Sequence, residues 1–169
     1  MIQRRRLLLL IGPAAMLMTA AAAGAQTEPR AILDRLIGTT WRAVTIAGQP
    51  VGPITGMGPF GPVTRTITST LRFRSASRVE GNSGCNNYSG ALSLVGDQIR
   101  IGALLSTLRG CWPDVVLEQE ERFRAALVAA QRVSFDGPFL VLHPAHQGPT
   151  TRLARVRRPN RGAGGAAAR

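Results

Sequence analysis

Five residues of this 169-residue chain have the side chains that chemistry would need: Ser83, Cys85, Cys111, His143 and His146. A cysteine nucleophile requires a base, and the two histidines are the only imidazoles in the chain. Ser83 sits in Gly81-Asn82-Ser83-Gly84, which is not the Gly-x-Ser-x-Gly of a nucleophile elbow, and no acid–histidine pair accompanies it. Zinc could take Cys85, Cys111, His143 and His146, but neither pair has finger-like spacing. The histidines, beside Pro144 and Gln147, read as exposed loop residues. In an exported chain an even cysteine pair defaults to a disulfide, Cys85 to Cys111. Closing a loop of about 26 residues is worth roughly 3.5 kcal/mol on the chain-entropy account. The bond would tie the stretch Gly81–Gly90 to the segment before the main helix. Its glycines permit unusual backbone angles, and Asn86 and Asn87 can cap the turn through their side chains. Gly84, Asn86, Asn87, Tyr88 and Gly90 therefore read as a structural staple. With no nucleophile–base or acid–base set in view, the expectation is a protein that is not an enzyme and takes no cofactor and no metal.

Export rests on the first 25 residues. Arg4–Arg6 form a positive start, Leu7 to Met18 an apolar run, and Ala23-Gly24-Ala25 a small-x-small cleavage site. A membrane anchor is the competing reading, but Gly12 and Pro13 interrupt a run already short for a span. Both Sec and twin-arginine export fit Arg4–Arg6. No cysteine lies near the cleavage site, so the mature chain has no lipid acceptor there. It is expected to be soluble, in the periplasm or at the outer membrane. All 21 basic residues are arginine, and the net charge is +12. Without Arg4–Arg6, 18 basic residues face 9 acidic ones, or +9. Five of those arginines fall in the last fifteen residues. Export and the absence of an aromatic–basic patch argue against nucleic acid. Residues 157–169, Arg-Arg-Pro-Asn-Arg followed by Gly and Ala, cannot build a core and read as a disordered basic tail, suited to an anionic membrane surface.

The elements that must hold the motif lie between. Residues 26–35 read as a lead segment. Leu36–Ala47 is rich in β-branched residues and reads as a strand anchored by Trp41. In Gly48–Val63 the residues Val51, Ile54, Met57, Phe60 and Val63 recur at every third place. A polyproline II helix would align them in one stripe; a plain loop is the other reading. If the stripe forms a flap, Ile54, Met57 and Phe60 would face Phe123 across a ligand groove. Ile67, Ser69, Leu71 and Phe73 alternate on one strand face. Further strands are expected at Arg78–Gly81, Tyr88–Val95, Gln98–Gly102 and Leu104–Leu108. The helix is expected over Asp114–Gln131, with Asp114 as N-cap and Val116, Glu120, Phe123, Leu127 and Ala130 on one face. Glu120 interrupts that apolar face, so it should meet an arginine or point into a cavity. Arg132–Asp136, Phe139–His143 and Thr151–Val156 complete the strands. Many strands with one helix suggest a mainly β, α+β domain: a small cracked or half-open antiparallel barrel with the helix packed at its opening.

Leu36-x-Gly38-Thr39-x-Trp41, Gly84-Cys85-Asn86-x-Tyr88-x-Gly90, Thr107-x-x-x-Cys111 and Glu120-x-x-Phe123-x-x-x-Leu127 occur in that order. Together they closely resemble the META/HslJ domain family, over about residues 33–156. The resemblance implies a cracked barrel with a helix at its mouth, in a cell-envelope protein linked to stress tolerance. Lipid-binding pilot proteins of secretins are similar in structure. The chain is thus expected to be a signal segment (1–25), a lead (26–35), a META/HslJ-like domain (36–156) and the tail. Its expected role is binding an apolar or amphipathic ligand, such as a lipid, or an envelope protein partner. The alternative is a structural or assembly factor at the outer membrane with no small ligand.

Overall fold

The computed structural model describes residues 29–157. The expected signal segment 1–25 and all of the expected tail except Arg157 lie outside the described residues. Helix α1 (Pro29–Leu36) opens the chain, followed by strands β1 (Thr40–Ile46) and β2 (Gln49–Pro50). A hairpin of β3 (Pro53–Gly58) and β4 (Gly61–Thr66) comes next. Then come β5 (Thr70–Ser75), β6 (Arg78–Asn82), β7 (Asn87–Val95), β8 (Gln98–Ile101) and β9 (Leu105–Ser106). Helix α2 (Val115–Ala129) precedes β10 (Ala130–Asp136), β11 (Phe139–Pro144) and β12 (Thr151–Arg155).

The lead is thus not a plain connection. Ile32 and Leu36, four apart, bring one face of α1 into the core, and Leu36 is fully buried. Gly38, at φ 74°, ends that turn in the left-handed conformation glycine adopts without strain. The first strand therefore begins at Thr40 rather than Leu36. Thr39 Oγ1 accepts from Trp41 Nε1 at 2.7 Å, so the buried indole donor is satisfied.

Eight strands close an antiparallel barrel in the order β1, β5, β6, β7, β8, β10, β11, β12, with β12 returning to β1. The expected small barrel with a helix at its opening is what the chain builds. Its ring is hydrogen-bonded all the way round. The thinnest seam is β8 to β10, where the ladder is the single pair Arg132↔Gln98. Val133 N donating to Asp97 O at 2.8 Å and the Arg132–Asp97 ion pair at 3.0 Å support it. Alternation does the interior work: Leu71 and Phe73 from β5, Ile99 from β8, and Leu140 and Leu142 from β11 all point inward and are buried. Phe123 and Leu127 of α2, four residues apart, belong to the same apolar cluster, so the helix plugs the barrel. Asp114 precedes α2 as expected but makes no side-chain capping bond. Instead its carbonyl accepts from Leu117 N at 2.8 Å.

The Gly/Pro segment overturns the threefold reading. Residues 53–66 pair as a two-stranded antiparallel hairpin outside the barrel sheet, from Pro53↔Thr66 to Gly58↔Gly61. A strand has period two, so Ile54, Gly56 and Gly58 share one half-buried face while Thr55 and Met57 share the exposed one. Ladder pairing across the hairpin satisfies backbone groups that a polyproline helix would leave to water.

Candidate functional site

The staple motif lies at the β6–β7 connection, just beyond the last pair Asn82↔Asn87. Cys85 and Cys111 are joined by a disulfide with Cα atoms 6.1 Å apart. Ile67, Cys85 and Val116 form a small apolar cluster with Ile54 and Cys111 packed against it. Gly84 has φ 132°, and a Cβ there would come within 2.8 Å of Ile67 Cγ2. Gly81 is tighter still: a Cβ would lie 2.8 Å from the Tyr88 hydroxyl and even closer to the Thr70 carbonyl oxygen. That closeness lets Tyr88 OH donate to Thr70 O at 2.8 Å across the intervening strand. Burial holds the Tyr88 phenol well above its ordinary range.

Asn86 is the hub. Its Oδ1 accepts from Thr107 Oγ1 at 2.8 Å and from Arg109 N at 2.7 Å. Its Nδ2 donates to Arg109 O at 3.3 Å and to Glu120 Oε2 at 3.2 Å. The backbone N–H of Asn86 reaches the same Glu120 oxygen at 3.1 Å. One side chain thereby fixes the 107–109 segment and gives a carboxylate that is 4% exposed its donors. Glu120 meets an asparagine, not the expected arginine, and it also borders a cleft. Asn86 does not cap its own turn: the capping is done by Asn82, whose Oδ1 accepts from Gly84 N at 2.8 Å. Asn87 Oδ1 accepts from Asn82 Nδ2 at 2.9 Å. Gly90 admits Leu104, whose Cδ2 would be 2.7 Å from a Cβ there.

The expected groove of Ile54, Met57, Phe60 and Phe123 is not assembled. Phe123 is fully buried in the barrel, 6.2 Å edge-on from Tyr88. Ile54 faces inward, and Met57 and Phe60 project from the hairpin at 68% and 104% exposure. The threefold spacing failed because the segment pairs as strands. Two clefts flank α2 instead. One, of about 650 Å³, has apolar walls from Leu104, Leu108, Leu117 and Val128, with Glu120 and Arg124 beside them. Arg124 Nε is buried there without a hydrogen-bond partner. The other, of about 570 Å³, is almost wholly apolar, between Ala126 and Ala129 of α2 and Leu142, Pro144 and Pro149. Sequence reasoning missed both, although Glu120 inside an apolar helix face was a signal for the first.

His143 is a strand residue of β11, not the expected loop residue, and its Nε2 lies 2.8 Å from Ser134 Oγ on β10. His146 does lie in the β11–β12 connection. The carboxylates of Asp97 and Asp136 are engaged by Arg132 and Arg152. Among the described residues no three His, Cys, Asp or Glu side chains gather as a metal site would need.

These features define a small, helix-plugged β-barrel domain whose β6–β7 turn is stapled to the segment before its helix. The META domain profile matches residues 34–157, and the chain belongs to that family. Solved structures share the fold. A protein from Burkholderia xenovorans, determined by NMR, is 22% identical with a TM-score of 0.52, covering 86% of this chain and all of that one. A DUF4847 family protein from Bacteroides vulgatus, a crystal structure, is 13% identical with a TM-score of 0.52, covering 76% of this chain and 99% of its own. No curated protein matches the chain.

Proposed function

We propose that this META domain is a non-enzymatic binding module of the cell envelope that takes an amphipathic ligand or partner segment at the cleft beside α2. A barrel interior filled by Phe73, Phe123 and Leu127 has no room for a guest, so binding belongs to the surface. The observation that carries the reading is the cleft's lining: Leu104, Leu108, Leu117 and Val128 offer apolar walls beside the charged side chains of Arg124 and Glu120. Apolar walls with a few polar groups are what a ligand with an apolar chain and a polar head would need. With both cysteines in the disulfide and no acid bonded to His143 among the described residues, the chemistry favours binding over turnover.

Native mass spectrometry of the mature protein, isolated from the envelope without reduction, tests this. The expected result is an additional mass that ejects on activation and is lost in an Arg124→Leu, Leu108→Ser variant. A bare chain, two hydrogens lighter than the reduced one, would instead direct the reading to an assembly factor without a small ligand.

A further inference from the structure

The β3–β4 hairpin is a separate feature from that cleft. It stands off the barrel as a sheet of two strands. Its tip is Gly58-Pro59-Phe60-Gly61, where Phe60 is wholly exposed and Met57, one pair back, is 68% exposed. An apolar tip is costly in water and is not forced by folding, since neither side chain enters a core cluster. The root, by contrast, is held rigidly. Ile54 packs on the Ile67–Cys85–Val116 cluster, and Gly56 lies so close to Pro113 that a Cβ would stand 2.6 Å from its Cβ. Trp112, next to that proline, is 53% exposed.

Two observations choose the occupant. The first is charge. Arg65, on β4 itself, is the hairpin's only charge, and it is exposed. The second is the hairpin's edges. Pro53 and Pro62 remove backbone donors from both of its strands, which makes it a poor template for adding a strand from a protein partner. An apolar aromatic tip on a hairpin whose one charge is an exposed arginine is the composition of an element that seats in the headgroup boundary of an anionic bilayer. We infer that the β3–β4 hairpin is a membrane-docking finger, inserting Phe60 and Met57 into the interface of an anionic lipid bilayer while Arg65 on the same hairpin meets its phosphates.

The mature chain is tested by co-sedimentation with vesicles of pure phosphatidylcholine and of phosphatidylcholine mixed with phosphatidylglycerol. Wild type should bind the anionic vesicles, more weakly as salt rises. Phe60→Ser should lower that affinity on the order of tenfold, as loss of a buried phenyl ring would. Val95→Ser serves as a control, since Val95 is 72% exposed at the β7–β8 turn. It should bind as wild type does. Both variants should melt like wild type, because neither side chain is buried. In a Phe60→Trp variant, brominated lipid should quench the new indole beyond the quenching seen in wild type. Equal binding by Phe60→Ser and wild type would overturn the inference and leave adsorption by arginines alone. So would no extra quenching of Phe60→Trp, or a wild type that binds neither vesicle and captures a protein through the same tip.

Discussion

If Asn86 is the hub that fixes the motif, removing its amide should cost far more than an ordinary surface change. Asn86→Ala deletes four hydrogen bonds. Two are to Arg109 backbone groups and one is to Thr107 Oγ1, all in an exposed segment where water can replace part of the loss. Those three together are worth about 1–2 kcal/mol. The fourth is to Glu120, 4% exposed, which keeps only the Asn86 backbone donor at 3.1 Å. A hydrogen bond to such a buried charge is worth about 1.5–3 kcal/mol. The expected destabilisation is about 3–4 kcal/mol. In urea, with an m-value of about 1.5–2 kcal/mol/M, the unfolding midpoint should fall by about 2 M. Asn86→Asp sharpens the test. It is the same shape but places carboxylate oxygens toward Glu120 Oε2, where Nδ2 stood 3.2 Å away. It should be worse than alanine, and adding Glu120→Gln should restore much of the loss by supplying a donor between the two groups. A cost below about 1 kcal/mol for Asn86→Ala, or no rescue of Asn86→Asp by Glu120→Gln, would refute the hub.

Two further perturbations read the same region. Replacing both Cys85 and Cys111 by Ser should lower stability by about 3.5 kcal/mol, from the closed loop between them, with cooperative unfolding retained. A loss under about 1 kcal/mol in urea melts would mean that Asn86, not the disulfide, carries the fastening. Tyr88 is the chain's single tyrosine, so the change in tyrosinate absorbance with pH comes from one phenol. Its folded pKa is raised by burial, so its contribution is fully present below about pH 10, the unfolded value, and declines as pH climbs above it. Stability should fall by about 1.4 kcal/mol per pH unit there, and tyrosinate absorbance should rise only with unfolding. Absorbance rising near pH 10 in the folded protein would contradict its burial.

Most of the barrel was legible because period two shows in composition. Ile67, Ser69, Leu71 and Phe73 were set on one strand face; Leu71 and Phe73 are buried on β5, while Ile67 and Ser69 are buried in the connection before it, Ile67 in the cluster beside the disulfide. The helix was equally readable over most of its length: Val116, Glu120, Phe123 and Leu127 are buried on α2, while Ala130, expected as its last inward residue, is buried as the first residue of β10. What was not legible depended on pairing at a distance. Nothing in residues 48–63 reveals that Gly56 must fit against Pro113, and that contact helps select a hairpin over an extended stripe. Helix α1 was missed because its apolar face is two residues, Ile32 and Leu36, too few to show a period. The cysteine pair and Asn86 stood out by residue type. Their actual work, fastening residues 107–109 and Glu120, needed the fold to bring α2 beside the β6–β7 turn. Both clefts arise where α2 packs beside the segments just before and after it, 104–110 and 142–151, and the spacing within any one element does not register such packing.

On the proposed binding role, the position of the staple would serve function as well as stability. Asn86 grips Thr107 and Arg109, and Cys85 grips Cys111, so the segment 104–111 is held at both its middle and its end. That segment supplies Leu104 and Leu108 to the cleft that holds Arg124. On its other side the same disulfide cluster receives Ile54, the root of the hairpin. A loop of exposed leucines and a projecting aromatic finger would otherwise collapse onto each other or onto the barrel, because apolar side chains in water seek any available cover. Fixing both from one buried point keeps them apart and presented. A filled barrel is then no obstacle to a binding role: its rigid interior is the platform, and the motif at Gly81–Gly90 is where the platform grips the surfaces that can act.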